Sequence, residues 1–164
     1  MAEVKDSAKV SNFRSLRFQS IQELLNELDR IEAAENSGNL KTEGNWSSGQ
    51  ILAHISNWVD YGWNGYPIGA PPFFLRWLMR MMGRRMIKKG MMRGVKIPKV
   101  PGGTVGKDDV SMDEGLKRIR KSFERLQAGE LSTHDSPAFG PMSHEDRIQL
   151  NLRHAELHLG FLNY

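Results

Sequence analysis

Four stretches of this 164-residue chain place apolar residues at helical spacing behind a serine suited to cap a helix, and that pattern narrows the fold more than any other feature. Ser20-Ile21-Gln22-Glu23 reads as a capping box, in which the serine accepts from a first-turn amide and the glutamate reaches back. Ile21, Leu24, Leu25, Leu28 and Ile31 then recur on one face until the Asn-Ser-Gly-Asn cluster at 36–39. Ser47-Ser48-Gly49-Gln50 opens a second helix, with Trp46 placed as a hydrophobic staple. Its stripe of Ile51, Leu52, Ile55, Trp58, Val59 and Trp63 is wide enough for burial on more than one side. Ser111-Met112-Asp113-Glu114 opens a third helix, carried by Leu116, Ile119, Phe123 and Leu126 and stopped at Gly129. Ser143 caps a last helix whose first turn carries Glu145 and Asp146, where negative charge is favoured. No segment alternates like a strand. The pattern predicts an all-α fold, an antiparallel four-helix bundle, with residues 1–19 as a lead-in and 20–164 as a single domain.

Between the second and third helices lies a stretch of different character. Pro67, Gly69, Pro71 and Pro72 form a rigid turn, and Phe73 to Met82 reads as a short amphipathic helix rich in Met and Arg. Such a basic insertion could lie on a membrane surface, bind an acidic partner, cover the end of the bundle or pack in a homodimer. Covering or dimer packing is the preferred expectation and membrane-surface contact is not expected, because apolar faces at helical spacing are usually buried. Residues 95–110 then form a loop. Its Pro101-Gly102-Gly103-Thr104-Val105-Gly106-Lys107-Asp108 has a proline and an aspartate where a phosphate-binding loop needs glycine and a hydroxyl, and no strand precedes it.

Composition removes several classes of function. With 39% hydrophobic and 26% charged residues the chain can bury a core. The absence of cysteine excludes disulfides, thiolate catalysis and cysteine-rich zinc sites, leaving His, Asp and Glu as the strong metal ligands. The formal charge of +4 is modest and much of its excess sits between Arg76 and Lys99, so a nucleic-acid partner is not expected. Neither a signal-peptide core nor a membrane-spanning run is present, and the expected location is cytoplasmic.

In the last helix, His154 and His158 stand four residues apart, which stacks two imidazoles on one helical face. Such a pair supplies two nitrogen ligands to a divalent ion, and a third is needed from elsewhere in the fold. His54, in the strongly apolar second helix, is the candidate, since an unpartnered imidazole there would carry a desolvation cost. The alternative is a solvated or hydrogen-bonded pair with no ion. His134 and His144 are expected at the surface, while Asp60 and Glu156 should project away from their neighbouring histidines.

Trp46-Ser47-Ser48-Gly49-Gln50-Ile51-Leu52-Ala53-His54 resembles the helix start of the DinB/YfiT-like superfamily, and His154-Ala155-Glu156-Leu157-His158-Leu159-Gly160 resembles its closing helix. The Pro-x-Phe-Gly-x-Met stretch at 137–142 is similar to that of an uncharacterised branch of the same superfamily. The resemblance implies a four-helix bundle holding a divalent metal, zinc or nickel, through His54, His154 and His158. It further implies a metal-dependent hydrolase or a thiol S-transferase acting on a small-molecule substrate such as a low-molecular-weight thiol. The Met- and Arg-rich insertion departs from the simplest family pattern and leaves the substrate class open.

Three neutral imidazoles would leave an ion its full charge and an open position, which suits either activity. Helical spacing sets Gln50, Asn57 and Tyr61 on the side of His54, and Asn151 on that of His154, as candidate substrate contacts. No catalytic acid or base is assigned. A non-catalytic metal- or small-ligand-binding bundle with a stress-associated role is the alternative function.

Overall fold

The computed structural model describes residues 5–98 and 100–164; the first four residues of the lead-in and Lys99, at the end of the basic segment, lie outside them. Among the described residues the fold is mostly helical, with five α-helices: α1 (Ile21–Asn36), α2 (Ser48–Asn64), α3 (Phe73–Lys89), α4 (Met112–Gln127) and α5 (His144–Leu159). Two 3-10 turns, Ser7–Lys9 and Pro101–Gly103, and two strands, β1 (Lys41–Thr42) and β2 (Leu162–Asn163), complete it.

The capping serines act where expected. Ser20, Ser47, Ser111 and Ser143 each accept a hydrogen bond from the amide three residues on, satisfying one of the free donors at a helix start. Only α2 has the reciprocal bond of a capping box, from the Ser47 amide to Gln50. At α1, Glu23 reaches one residue further, to the amide of Gln19 at 2.7 Å. At α4, Glu114 instead accepts from the Arg118 guanidinium at 2.8 Å, a charge-assisted contact one turn along that outcompetes the cap.

Two expectations are corrected. The basic insertion is not short: α3 runs 17 residues, as long as α2, because Arg84 to Lys89 are good helix formers and the chain first turns sharply at Gly90 (φ 90°). There is also a strand pair, β1 against β2 antiparallel, with Lys41 opposite Asn163 and Thr42 opposite Leu162. Strands of two residues are too short to show an alternating pattern in sequence.

The core lies between α1, α2, α4 and α5. Leu24, Leu28, Ile31, Leu52, Ile55, Ile119, Phe123, Leu152 and Leu159 have no exposed surface at all, and burying each such side chain is worth about 1.5–3 kcal/mol. The lead-in contributes as well, with Phe18 buried and Phe13 meeting the Phe161 ring edge-on at 5.1 Å. Its backbone is tied down by Glu156, which accepts from the Phe18 amide at 2.6 Å and pairs with the fully buried Arg153 at 3.1 Å.

The closest helix pair is α2 with α4, and two glycines set its spacing. A Cβ on Gly49 would lie 2.1 Å from the Val110 carbonyl oxygen, and one on Gly115 would lie 2.9 Å from Leu52 Cβ. Further along, Ser56 and Ser122 hydroxyls are 2.9 Å apart. Because Ser122 donates its proton to the Arg118 carbonyl, Ser56 is the donor between them. The Arg125 guanidinium then stacks over the Trp63 ring at 3.9 Å. Contacts that advance together along both helices mean that α2 and α4 run parallel. The fully antiparallel arrangement therefore does not hold for this pair: the long connection carrying α3 returns the chain to the end where α2 began. In contrast, α5 runs antiparallel to α2, with Arg147 beside Gly62 and His154 beside His54.

Candidate metal centre

Helix α2 commits its apolar stripe to the core, and His54 comes with it, 1% exposed. Helix α5 carries His154 and His158 on one face, both half-buried, and its antiparallel course presents that face to His54. Ring centroids are 5.1 Å apart for His54 and His154, 4.5 Å for His54 and His158, and 4.6 Å for His154 and His158. One nitrogen from each ring lies within 4.8 Å of the others, which positions the three histidines to hold a metal ion. Among the described residues this is the only group of three or more potential ligands so placed.

The donors are prepared for that role. His54 Nδ1 is 3.0 Å from the Val105 carbonyl oxygen, which can only accept, so Nδ1 carries the proton and Nε2 keeps its lone pair. Burial pushes His54 down to about 4, against a smaller upward pull from the carbonyls of Val105 and Gly106. For His154 and His158, burial again dominates, reinforced by repulsion from neighbouring imidazoles, and both lie well below the usual histidine range. At neutral pH all three rings are uncharged, the state in which imidazole ligates a cation.

Two indole rings wall the cluster. Trp46 stacks parallel to His158, with centroids 5.5 Å apart and planes within 3°, and meets His54 edge-on at 4.9 Å. Trp58 lies 5.7 Å from His154 and 6.1 Å from His54. Inside these walls, His154 Nδ1 and Trp58 Nε1 are buried with no hydrogen-bond partner among the described residues. A buried polar atom without a partner costs about 1–3 kcal/mol, so an orphan nitrogen on a ring of this cluster fits a role in holding a ligand. Three neutral nitrogen donors fit zinc, nickel or another first-row divalent ion and are poor ligands for magnesium or calcium, which take oxygen.

The residues expected to contact substrate are less free than their spacing suggested. Gln50 is occupied by its capping box and reaches Asp109 at 3.4 Å. Asn57 donates to the Gly106 carbonyl at 2.9 Å and to Asp108 at 3.1 Å. Tyr61 packs its ring against Trp58 at 5.8 Å and Tyr66 at 5.7 Å. Asn151 donates back to the Arg147 carbonyl of its own helix at 3.0 Å. The first three hold or flank residues 104–109, the segment that supplies the Val105 carbonyl to His54.

The other candidates stand apart from the cluster. Asp60 lies 3.9 Å from Arg125, and Glu156 is taken up by Phe18 and Arg153. His134 is exposed beside Thr133, while His144 is half-buried and reaches the Leu126 carbonyl at 2.9 Å. What the sequence did not reveal is the part played by the 95–110 loop, since a backbone carbonyl has no residue-type signature. The positive φ of Gly106 (74°) and its close fit under Tyr61 show why that glycine is there.

Residues 10–164 match a protein family described as a protein of unknown function (DUF1569). No curated protein and no solved structure matches the chain.

Proposed function

The chain belongs to the DUF1569 family of unknown function, so its chemistry has to be read from its own residues, and we propose that it is a metal-dependent enzyme, a hydrolase or a thiol S-transferase. His54, His154 and His158 would hold one divalent ion, zinc or nickel, and leave a position open toward a small-molecule substrate such as a low-molecular-weight thiol. The observation that carries this reading is the convergence of three uncharged imidazoles from α2 and α5 within 4.8 Å of one another. The resemblance to the DinB/YfiT-like superfamily supports it, with α1, α2, α4 and α5 as the four members of the bundle, residues 20–164 as a single domain and α3 as the insertion.

A bound ion would supply Lewis acidity, enough to bring the pKa of a water to about 7 or to stabilise a thiolate. The chain's own residues fix the rest. Val105 sets the tautomer and orientation of His54 through its carbonyl. Trp46 holds the plane of His158 and excludes water on that side. Trp58 offers an unused N–H donor beside His54 and His154, suited to a polar atom of the substrate. Gln50, Asn57 and Tyr61, with Asn151 on the opposite helix, border the approach.

One observation favours a second reading, a non-catalytic metal- or small-ligand-binding protein: Asp60, Glu156 and Asp108 are engaged elsewhere, with Arg125, Arg153 and Arg118. Thiol-transfer and hydrolysis panels on metal-loaded protein, run beside His158→Ala, separate the two. Turnover that disappears with His158 supports the enzyme. Metal uptake with a raised melting temperature and no turnover supports the binding protein.

A further inference from the structure

Among the described residues, helix α3 has one face packed on the protein and the other uncovered. Gly83 is buried against Phe139, close enough that a Cβ there would lie 2.9 Å from its ring, and Leu75, Met79, Met86 and Ile87 flank it half-buried. The opposite side is turned outward: Phe73 is 84% exposed, Phe74 64% and Trp77 66%, followed by Leu78, Met81 and Met82. Such a run of large apolar side chains in the open is uncommon on a protein surface and marks an interaction site. At 100° per residue, Arg84, Arg85, Lys88 and Lys89 continue the same outward face in the second half of the helix, all four exposed. The helix is also held firmly at its end, where Arg17 donates to the Lys88 carbonyl at 3.0 Å.

The charge of the segment that carries this face is one-sided. Between Asp60 and Asp108 the chain has ten Lys and Arg and no Asp or Glu, whereas the whole chain is only +4, so the remainder is net acidic. Among the described residues none of the Arg or Lys side chains of α3 takes part in an ion pair. Helix α3 has no carboxylate to pair with the cations of a second copy, which disfavours self-association through this face. A surface that is apolar a few ångströms deep and negatively charged at its boundary matches both halves at once. No described helix is long and apolar enough to cross a membrane, so contact would be interfacial, with the Phe73 end of α3 dipping deeper than its Lys89 end.

We propose that α3 docks this protein on an anionic phospholipid bilayer, with Phe73, Phe74 and Trp77 entering the acyl boundary and Arg84, Arg85, Lys88 and Lys89 lying over the headgroup phosphates. Covering of the bundle or homodimer packing is the expectation from sequence; one side of α3 does pack on the protein, at Gly83 and Phe139, and lipid contact is assigned to the other side alone. The inference does not depend on the metal centre.

Co-sedimentation with vesicles of phosphatidylcholine containing about one third phosphatidylglycerol tests it at low salt, about 50 mM. The full chain should bind these vesicles and not pure phosphatidylcholine, with binding at least tenfold weaker at about 500 mM salt. Replacing Arg84, Arg85, Lys88 and Lys89 by Gln should weaken partitioning at least a hundredfold. A second variant, Phe73→Ser with Trp77→Ser, should lose about as much. All these side chains are exposed, so unchanged circular dichroism and melting are expected and confirm that binding alone was altered. Absence of binding by the wild type at low salt would overturn the proposal, as would equal binding to neutral vesicles. A wild-type dimer that Trp77→Ser dissociates, with no lipid binding, would assign the face to a second copy instead.

Discussion

His54 Nδ1 lies 3.0 Å from the carbonyl oxygen of Val105, 51 residues away, and this contact makes the loop after α3 part of the candidate metal centre. The carbonyl selects the tautomer that frees Nε2 for a cation, a role outer hydrogen-bond partners commonly have at histidine metal sites. Asn57 reinforces it by donating to the next carbonyl, that of Gly106, at 2.9 Å.

Gly106→Ala should therefore weaken metal binding without touching a ligand. At φ 74° an alanine is strained, and its Cβ would sit 2.6 Å from the Tyr61 hydroxyl, so the loop must withdraw from His54. Loss of such a supporting contact typically lowers metal affinity 10- to 100-fold. Competition titration against a chromogenic chelator measures it, and an unchanged affinity would mean that the loop does not position His54.

Metal-free protein should lose stability in mild acid. His54 falls from 6.5 to about 4 on folding, chiefly through burial, so between those values the unfolded chain takes up a proton that the native state refuses. Its contribution is fully present above pH 6.5 and is lost as the pH falls toward 4, with a ceiling on the order of 3 kcal/mol. His154 and His158 act in the same direction. Urea titrations of chelator-treated protein across this range should show a falling midpoint, and His54→Gln should flatten the slope.

Glu156, between the two α5 histidines in sequence, should matter for folding and not for metal. It pairs with Arg153, which has no exposed surface, and accepts from the Phe18 amide. Glu156→Ala would strand a buried guanidinium and should cost about 3–5 kcal/mol. Glu156→Gln keeps an acceptor for Phe18, should cost less, and should keep full metal stoichiometry, as denaturant melts and metal analysis would show.

Much of the helical framework was legible because its signals are local. Ser20, Ser47, Ser111 and Ser143 announce four starts within three residues of themselves, and the apolar period after each marks the buried face. His154 and His158 were legible as a pair for the same reason, being one turn apart. Their meeting with His54 is a tertiary event that spacing could only suggest. Less was legible where the deciding partner is distant or has no side chain. The parallel course of α2 and α4 depends on the path of residues 65–111, the Val105 contact on a backbone oxygen, and the β1–β2 pair on a backbone ladder two residues long. For α3, periodicity shows that a helix has an apolar side and not what covers it: one side packs at Gly83 and the aromatic side is exposed in the single chain.

The most direct test is metal content by plasma mass spectrometry on protein purified without a histidine tag and dialysed against zinc and nickel. The three-histidine centre predicts about one divalent ion per chain in the wild type and essentially none in His154→Ala or His158→Ala variants that keep native helicity. Wild-type protein that retains no more metal than those variants would contradict it.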